Sequence, residues 1–201
     1  MYDELEYRAT IKSKPFLFKE TKMVASLVNQ GYNDVEIKNK VKNDNIFQVN
    51  TETRKSEIAS IVLKRLKVLD EYLIEKIAKG DIKTGKQIVI YAIMKTDRLF
   101  FEFMYEVFRE KIIINNPYLQ DKDFNLFFAR KKEQSQRVAS WQDYTFYKLK
   151  QVYIRILFEA GFIKNHKNEI EIIKPIIEAD VEQYLKKIGD SKYLNALLGE
   201  I

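Results

Sequence analysis

Apolar residues recur every three or four positions along most of this 201-residue chain, and only six glycines and three prolines interrupt them. Such spacing lines one face of a helix, and so little punctuation leaves no room for many short strands. Met23, Val24, Leu27 and Val28 share a face that ends at Gly31, a left-handed C-cap in expectation. Asn33 or Asp34 caps a second helix carrying Val35, Ile37 and Val41. From about Thr53 to Lys79 the positions Ile58, Ile61, Val62, Leu66, Leu69, Leu73 and Ile77 predict one long helix, stopped by Gly80 and followed by an Asp81 cap. Lys86 to Ile114 is apolar on too wide a face for a surface helix and supplies the central core helices. Pro117 breaks that run. A short helix at "DFNLFFARKKEQ", the joint "SQRVAS", a helix over 141–160 and a hairpin over 161–174 follow. A last helix carries Ile176, Ile177, Val181, Tyr184, Leu185 and Ile188, while residues 4–12 read as extended.

The fold class is therefore all-α: multi-helical, with helix-turn-helix-like parts and a short C-terminal β-hairpin wing. No linker or repeat marks a boundary. The division expected is an N-terminal helical subdomain, 1–80, and a C-terminal one, 81–201.

Hydrophobic content of 46% beside 32% charge is that of a folded, soluble chain. The N-terminal residues carry early acids and no apolar core, unlike a signal peptide. The longest apolar run, "IVIYAIM", has seven residues, far short of the roughly 20 that span a bilayer. No membrane association is expected. The absence of cysteine removes disulfides, thiolate zinc sites and a catalytic thiol, and fits a cytoplasmic location. The formal charge is +6. Residues 122–155 hold eight basic and three acidic side chains, net +5, which suits a polyanion-binding face. A solvated basic helix surface is the plainer reading of the same count.

Gly80 to Lys86, "GDIKTGK", fits the phosphate-loop spacing G-x-x-x-x-G-K, but Gln87 stands where a Ser or Thr must hold magnesium. A charged helix, not a buried strand, precedes it. The glycines read as a helix end and a helix start. His166 is the only histidine and has no ligand-forming neighbours. Asp97, Glu102 and Glu106 could form a carboxylate set, yet their spacing puts them on the wet face opposite Phe100, Phe103, Met104 and Val107. No catalytic or dinucleotide motif, metal set or cofactor site is visible, so an enzyme is not expected.

Within 141–160, Leu149, Val152, Tyr153, Ile156, Leu157 and Ala160 form one apolar stripe. Lys148, Gln151 and Arg155 lie on another face, with Lys150 beside them. Ser140 or Thr145 is placed to cap the start, a position that suits a phosphate. Helix, Gly161, then a hairpin tipped by His166 and Lys167 is the order of a winged helix-turn-helix, whose second helix enters the major groove. Residues 123–133, with Arg130, Lys131 and Lys132, supply the preceding helix. Plain packing elements share this order. A second helix-turn-helix-like arrangement spans 20–68, with Arg54 and Lys55 in the first turn of its third helix and Lys64, Arg65 and Lys67 near the middle.

Taken in order, "MVASLVNQGYNDVEIKNKVKNDNIF", "TRKSEIASIVLKRLKVLD", "DRLFFEFMYEVFREK", "DFNLFFARKKEQ" and "DYTFYKLKQVYIRILFEAGFI" resemble the BrxA family, the small subunit of BREX bacteriophage-exclusion systems. The resemblance covers nearly the whole chain. It rests on the order of segments, not on one sharp motif. It implies an all-helical fold like that of a bacterial RNA-binding antitermination factor, double-stranded DNA as ligand and other BREX subunits as partners. RNA stays open as the nucleic acid. A description of the family as inner-membrane proteins conflicts with the hydropathy above. The resemblance carries no catalytic residues. The residues expected to bind nucleic acid are Arg130, Lys131, Lys132, Lys148, Gln151, Arg155, His166 and Lys167, then Arg54 and Lys55. The alternative is a scaffold that docks another defence subunit through an aromatic surface, with no nucleic-acid contact.

Overall fold

A computed structural model describes residues 5–165 and 169–200. The chain divides into two compact units, one of Leu17–Thr96 and one that joins the N-terminal segment up to Phe16 with Asp97 onward.

The first unit is built from five helices: α1 (Phe18–Asn29), α2 (Asp34–Asn43), α3 (Glu52–Leu66), α4 (Glu71–Lys79) and α5 (Ile82–Thr96). Gly31 follows α1 with φ +90°; its N–H reaches the Val28 carbonyl while that of Tyr32 reaches Leu27. Those paired bonds close a helix end that needs a left-handed residue. At the start of α2, Asn33 Oδ1 accepts from the Val35 and Glu36 N–H groups, and Glu36 accepts the Asn33 N–H in return. This reciprocal cap satisfies donors that a helix start otherwise leaves free.

The single helix expected over 53–79 is two. The Leu69 N–H closes a turn on the Leu66 carbonyl, and Asp70 Oδ1 then accepts the Leu73 N–H to cap α4. A capped restart preserves the apolar spacing, so periodicity alone runs straight through the break. Val62, Leu66, Leu73 and Ile77 are all buried, together with every residue of α5 from Ile88 to Met94.

In the second unit, α6 (Arg98–Phe103) and α7 (Arg109–Ile113) are continuous through a π turn, Met104–Phe108. The Arg109 N–H bonds to the Met104 carbonyl, five residues back. Then follow α8 (Asp121–Gln134), α9 (Gln136–Ala139), α10 (Asp143–Ala160), α11 (Ala179–Lys187) and α12 (Ser191–Leu198). The joint "SQRVAS" is thus partly helical, because Ser135 accepts the Val138 N–H and caps α9. Residues Thr10–Ser13 form a 3-10 turn where an extended segment was expected, and Ile11 of that turn is buried.

All six residues of the α10 apolar stripe are buried. Tyr153 meets Phe100 edge-on at 5.1 Å and Phe103 at 5.2 Å, and Phe103 stacks on Phe124 at 5.0 Å. Rings at such separations add directional energy to burial. Gly161, at φ +82°, ends α10. Beyond it Ile163 and Ile172 pair antiparallel, supported by Lys164 N–H to Glu171 O and Ile173 N–H to Phe162 O. The returning arm has a further partner that the sequence did not indicate: β2 (Ile170–Glu171) pairs antiparallel with β1 (Tyr118–Leu119), with Tyr118 opposite Glu171. The architecture is all-α with this small antiparallel β element.

Candidate nucleic-acid interface

The exposed side of α10 carries Tyr144, Tyr147, Lys148, Gln151 and Arg155, on the side away from its buried stripe. Lys148 Nζ donates to Gln151 Oε1 at 3.1 Å, and Gln151 Nε2 donates to Tyr147 Oη at 2.8 Å. Lys148 Nζ also stands 5.3 Å from the Tyr144 ring centre and 5.7 Å from that of Tyr147. A lysine held over aromatic faces keeps its charge at a fixed place. One turn further, Arg155 bonds Glu159 at 2.6 Å. Lys148 and Gln151 are therefore brought together as their spacing predicts, with two tyrosines that the sequence reasoning passed over. Their signal was present: Tyr144, Tyr147 and Gln151 fall at i, i+3 and i+7.

The run Arg130-Lys131-Lys132 is split three ways. Arg130 is exposed on α8, beside Leu126 and Glu106. Lys132 turns to Asp143 at 3.1 Å and lies 4.3 Å above the Phe146 ring. Lys131 is the correction. Its side chain is 2% exposed, bonded to Glu102 at 2.8 Å, to Glu106 and to Gln134. A lysine so enclosed holds two carboxylates and reaches no external phosphate.

The carboxylates change place in the same way. Glu102 is not on a wet face: its side chain is 7% exposed and is held by Lys131, by Arg98 at 2.8 Å and by the Tyr7 hydroxyl. The Arg98 guanidinium lies 4.3 Å over the Tyr7 ring. Burial, then the hydrogen bond to Glu102, pushes the Tyr7 phenol well above its usual value. Asp97 Oδ1 accepts the Phe100 N–H and caps α6. These acids are structural. Among the described residues no group of three or more His, Asp or Glu is placed to hold a metal.

The proposed cap of α10 is also different. Ser140 Oγ donates to the Arg137 carbonyl, and the residue before the helix, Gln142, makes no side-chain cap. Asp143 occupies the first turn, so a carboxylate already meets the positive end of that helix. Arg54 pairs with Glu57 at 3.2 Å, and Lys55 reaches both Glu52 and the Lys42 carbonyl. Arg65, placed with the basic surface of α3 in expectation, is buried. His166 and Lys167 lie outside the described residues. Gly80 ends α4 and Gly85 is buried inside α5, where an added Cβ would come within 3.1 Å of the Phe18 ring. Helix packing, not a phosphate, accounts for that glycine pair.

Charge divides unevenly between the units. Leu17–Thr96 contains 15 Lys and Arg against 10 Asp and Glu, net +5; the other unit has 20 against 19, net +1. The excess over 122–155 is thus offset inside its own unit by acids distant in sequence.

Together these features define an all-α protein with a small antiparallel β element, whose distinctive exposed chemistry is a mixed basic and aromatic helix face. Among the described residues no helix is long and apolar enough to cross a membrane. The chain belongs to the BrxA family, whose model matches residues 5–189. A relative from Bacillus cereus (strain H3081.97), the BREX protein BrxA, is 58% identical over 200 residues, covering 100% of both chains. The BREX protein BrxA of Paramagnetospirillum magneticum (strain ATCC 700264 / AMB-1) is 23% identical over 96% of this chain and 97% of its own. The crystal structure of an uncharacterized protein from Magnetospirillum magneticum has the same fold, with a TM-score of 0.83, 22% identity, and coverage of 98% of this chain and 100% of that one.

Proposed function

We propose that this chain is a non-enzymatic, cytoplasmic accessory protein of a BREX phage-defence system that binds double-stranded DNA through the exposed face of α10. The observation that carries the reading is the cluster of Lys148, Gln151 and Tyr147, with Arg155 one turn away. Lysine and arginine supply phosphate contacts, and a glutamine on the same face can read a base edge. Arg130, exposed on α8 beside Leu126 and Glu106, stays in the proposal on sequence grounds. Arg54 and Lys55 offer a secondary surface on the more basic unit. His166 and Lys167 extend the proposal on sequence grounds, and Lys131 leaves it because it is buried.

Backbone contacts make affinity fall steeply with salt. Retardation of a duplex by the whole protein, at rising salt, is the first experiment. Lys148→Glu with Arg155→Glu should weaken binding to all duplexes alike, by about tenfold or more, since each change replaces a phosphate contact with repulsion. Wild-type retardation by the double variant at moderate salt would refute the assignment.

The second reading, a protein-docking scaffold, is favoured by a specific observation. The cations on this side already have partners, Lys132 with Asp143 and Arg155 with Glu159, while Tyr144 and Tyr147 are 64% and 54% exposed. Exposed tyrosines beside a basic rim suit an acidic protein surface. A protein that retards no duplex even at low salt, yet binds another BREX subunit through Tyr144 and Tyr147, would establish it.

A further inference from the structure

Between α8 and α10 runs an open groove of about 480 Å³ that duplex binding by Lys148 and Arg155 does not use. We propose that this groove is a binding site for a nucleoside phosphate, with the base on its aromatic lining and the phosphate on Lys132 or Lys150. Its volume falls in the range of small-molecule sites, roughly 300–1,000 Å³. The proposal stands apart from the duplex reading in its ligand and its phosphate-binding lysines; only Tyr147 belongs to both.

Three observations fit that chemistry. The lining contains Phe128, Phe146 and Tyr147, with Phe128 and Phe146 packed at 5.2 Å and Tyr147 exposed at the rim. Phe128 and Phe146 are buried, so Tyr147 is the ring open to a base, and such a ring stacks any base without regard to sequence. Asn125, exposed on the same wall, carries both a donor and an acceptor, which is what a base edge presents in return. The two lysines lie deeper than their partners. Lys132 is 37% exposed and bonded to Asp143, which is 97% exposed; Lys150 is 23% exposed and bonded to Asp121, which is 78% exposed.

That asymmetry decides the polarity of the ligand. Pairs involving such exposed carboxylates contribute little, and either aspartate can swing into water. The lysines, set against the Phe146 and Phe124 rings at 4.3 and 5.9 Å, stay where they are. A phosphate replaces a single exposed carboxylate with more oxygens and more charge, so it competes well for the same ammonium. Nothing covalent is involved.

The test uses the whole protein and a built-in reporter. Trp141, the only tryptophan, lies 5.9 Å from the Phe146 ring. Calorimetry and Trp141 fluorescence are followed on adding adenosine 5′-monophosphate, a single-stranded deoxyadenosine hexamer and inorganic phosphate. Saturable binding of the monophosphate supports a free nucleotide as ligand. Binding of the hexamer alone supports an unpaired nucleotide within a strand. In either case Lys132→Gln with Lys150→Gln should weaken binding by about tenfold or more, as lost charge-assisted bonds do. Its circular dichroism should match the parent. Arg155→Glu should leave nucleotide binding within about twofold, since Arg155 does not line the groove. Binding of neither probe, equal binding of inorganic phosphate, or indifference to the Lys132 and Lys150 changes would overturn the proposal. Failure of duplex retardation would leave it standing.

Discussion

Replacing Lys131 with methionine separates a structural lysine from a ligand-binding one. The Nζ is bonded to Glu102 at 2.8 Å and also to Glu106 and Gln134, inside a side chain that is 2% exposed. Removing one member of a buried ion pair typically costs about 3–5 kcal/mol, because the remaining charge stays buried. Glu102 keeps Arg98 and Tyr7, and Glu106 is 34% exposed and can turn to water. The loss therefore belongs at the low end, about 3 kcal/mol. With a urea dependence of roughly 2 kcal/mol per molar, the unfolding midpoint should fall by about 1.5 M. Glu102→Gln with Lys131→Met should cost less than the two single changes added, since it removes both charges of one pair. Added salt should change the loss little, because buried pairs are poorly screened. Urea titration followed by circular dichroism measures all of this. A Lys131→Met protein with a wild-type midpoint and a lost duplex shift would refute the reasoning, for it would make Lys131 a ligand contact after all.

Tyr153 is fully buried, and its hydroxyl finds no hydrogen-bond partner among the described residues. Tyr153→Phe should therefore leave stability unchanged or raise it by about 1 kcal/mol, read from the urea midpoint; a clear loss would mean the hydroxyl is bonded. Stability should also fall in alkali. Burial raises the phenols of both Tyr7 and Tyr153, with the negative charge of Glu102 adding to each. Below about pH 10 folded and unfolded chains both keep these protons, and the two phenols contribute no slope. Above it the unfolded chain releases protons that the native chain retains, so the unfolded state gains. Melting temperatures from about pH 8 to 11 should decline less steeply for Tyr7→Phe than for the wild type; parallel curves would reject the shifted phenol.

What could be read before folding was whatever is local. The Gly31 helix end, the Asn33 cap, the apolar stripe of α10 and the Gly161 corner each depend on residues within about one turn, so composition and spacing suffice. The break at Leu66–Asp70 was also local, but a cap that restarts a helix in phase leaves the apolar spacing intact. The β1–β2 pairing joins positions 53 residues apart in register, Tyr118 to Glu171, and no period in a sequence encodes that. Charge failed for the same reason. A count along 122–155 treats Arg130, Lys131 and Lys132 as one basic run, yet one helix sends successive side chains about 100° apart. Lys131 consequently faces the core, where Glu102 lies 29 positions away in sequence and 2.8 Å away in space. Conversely, Lys148, Gln151 and Tyr147 are neighbours on a single helix face, and the face survives folding because nothing distant was needed to build it. A linear charge excess is thus a sound guide to a surface only when its members share a helix face. By that rule α10, not the Arg130–Lys132 run taken as a unit, is the place to test for a duplex.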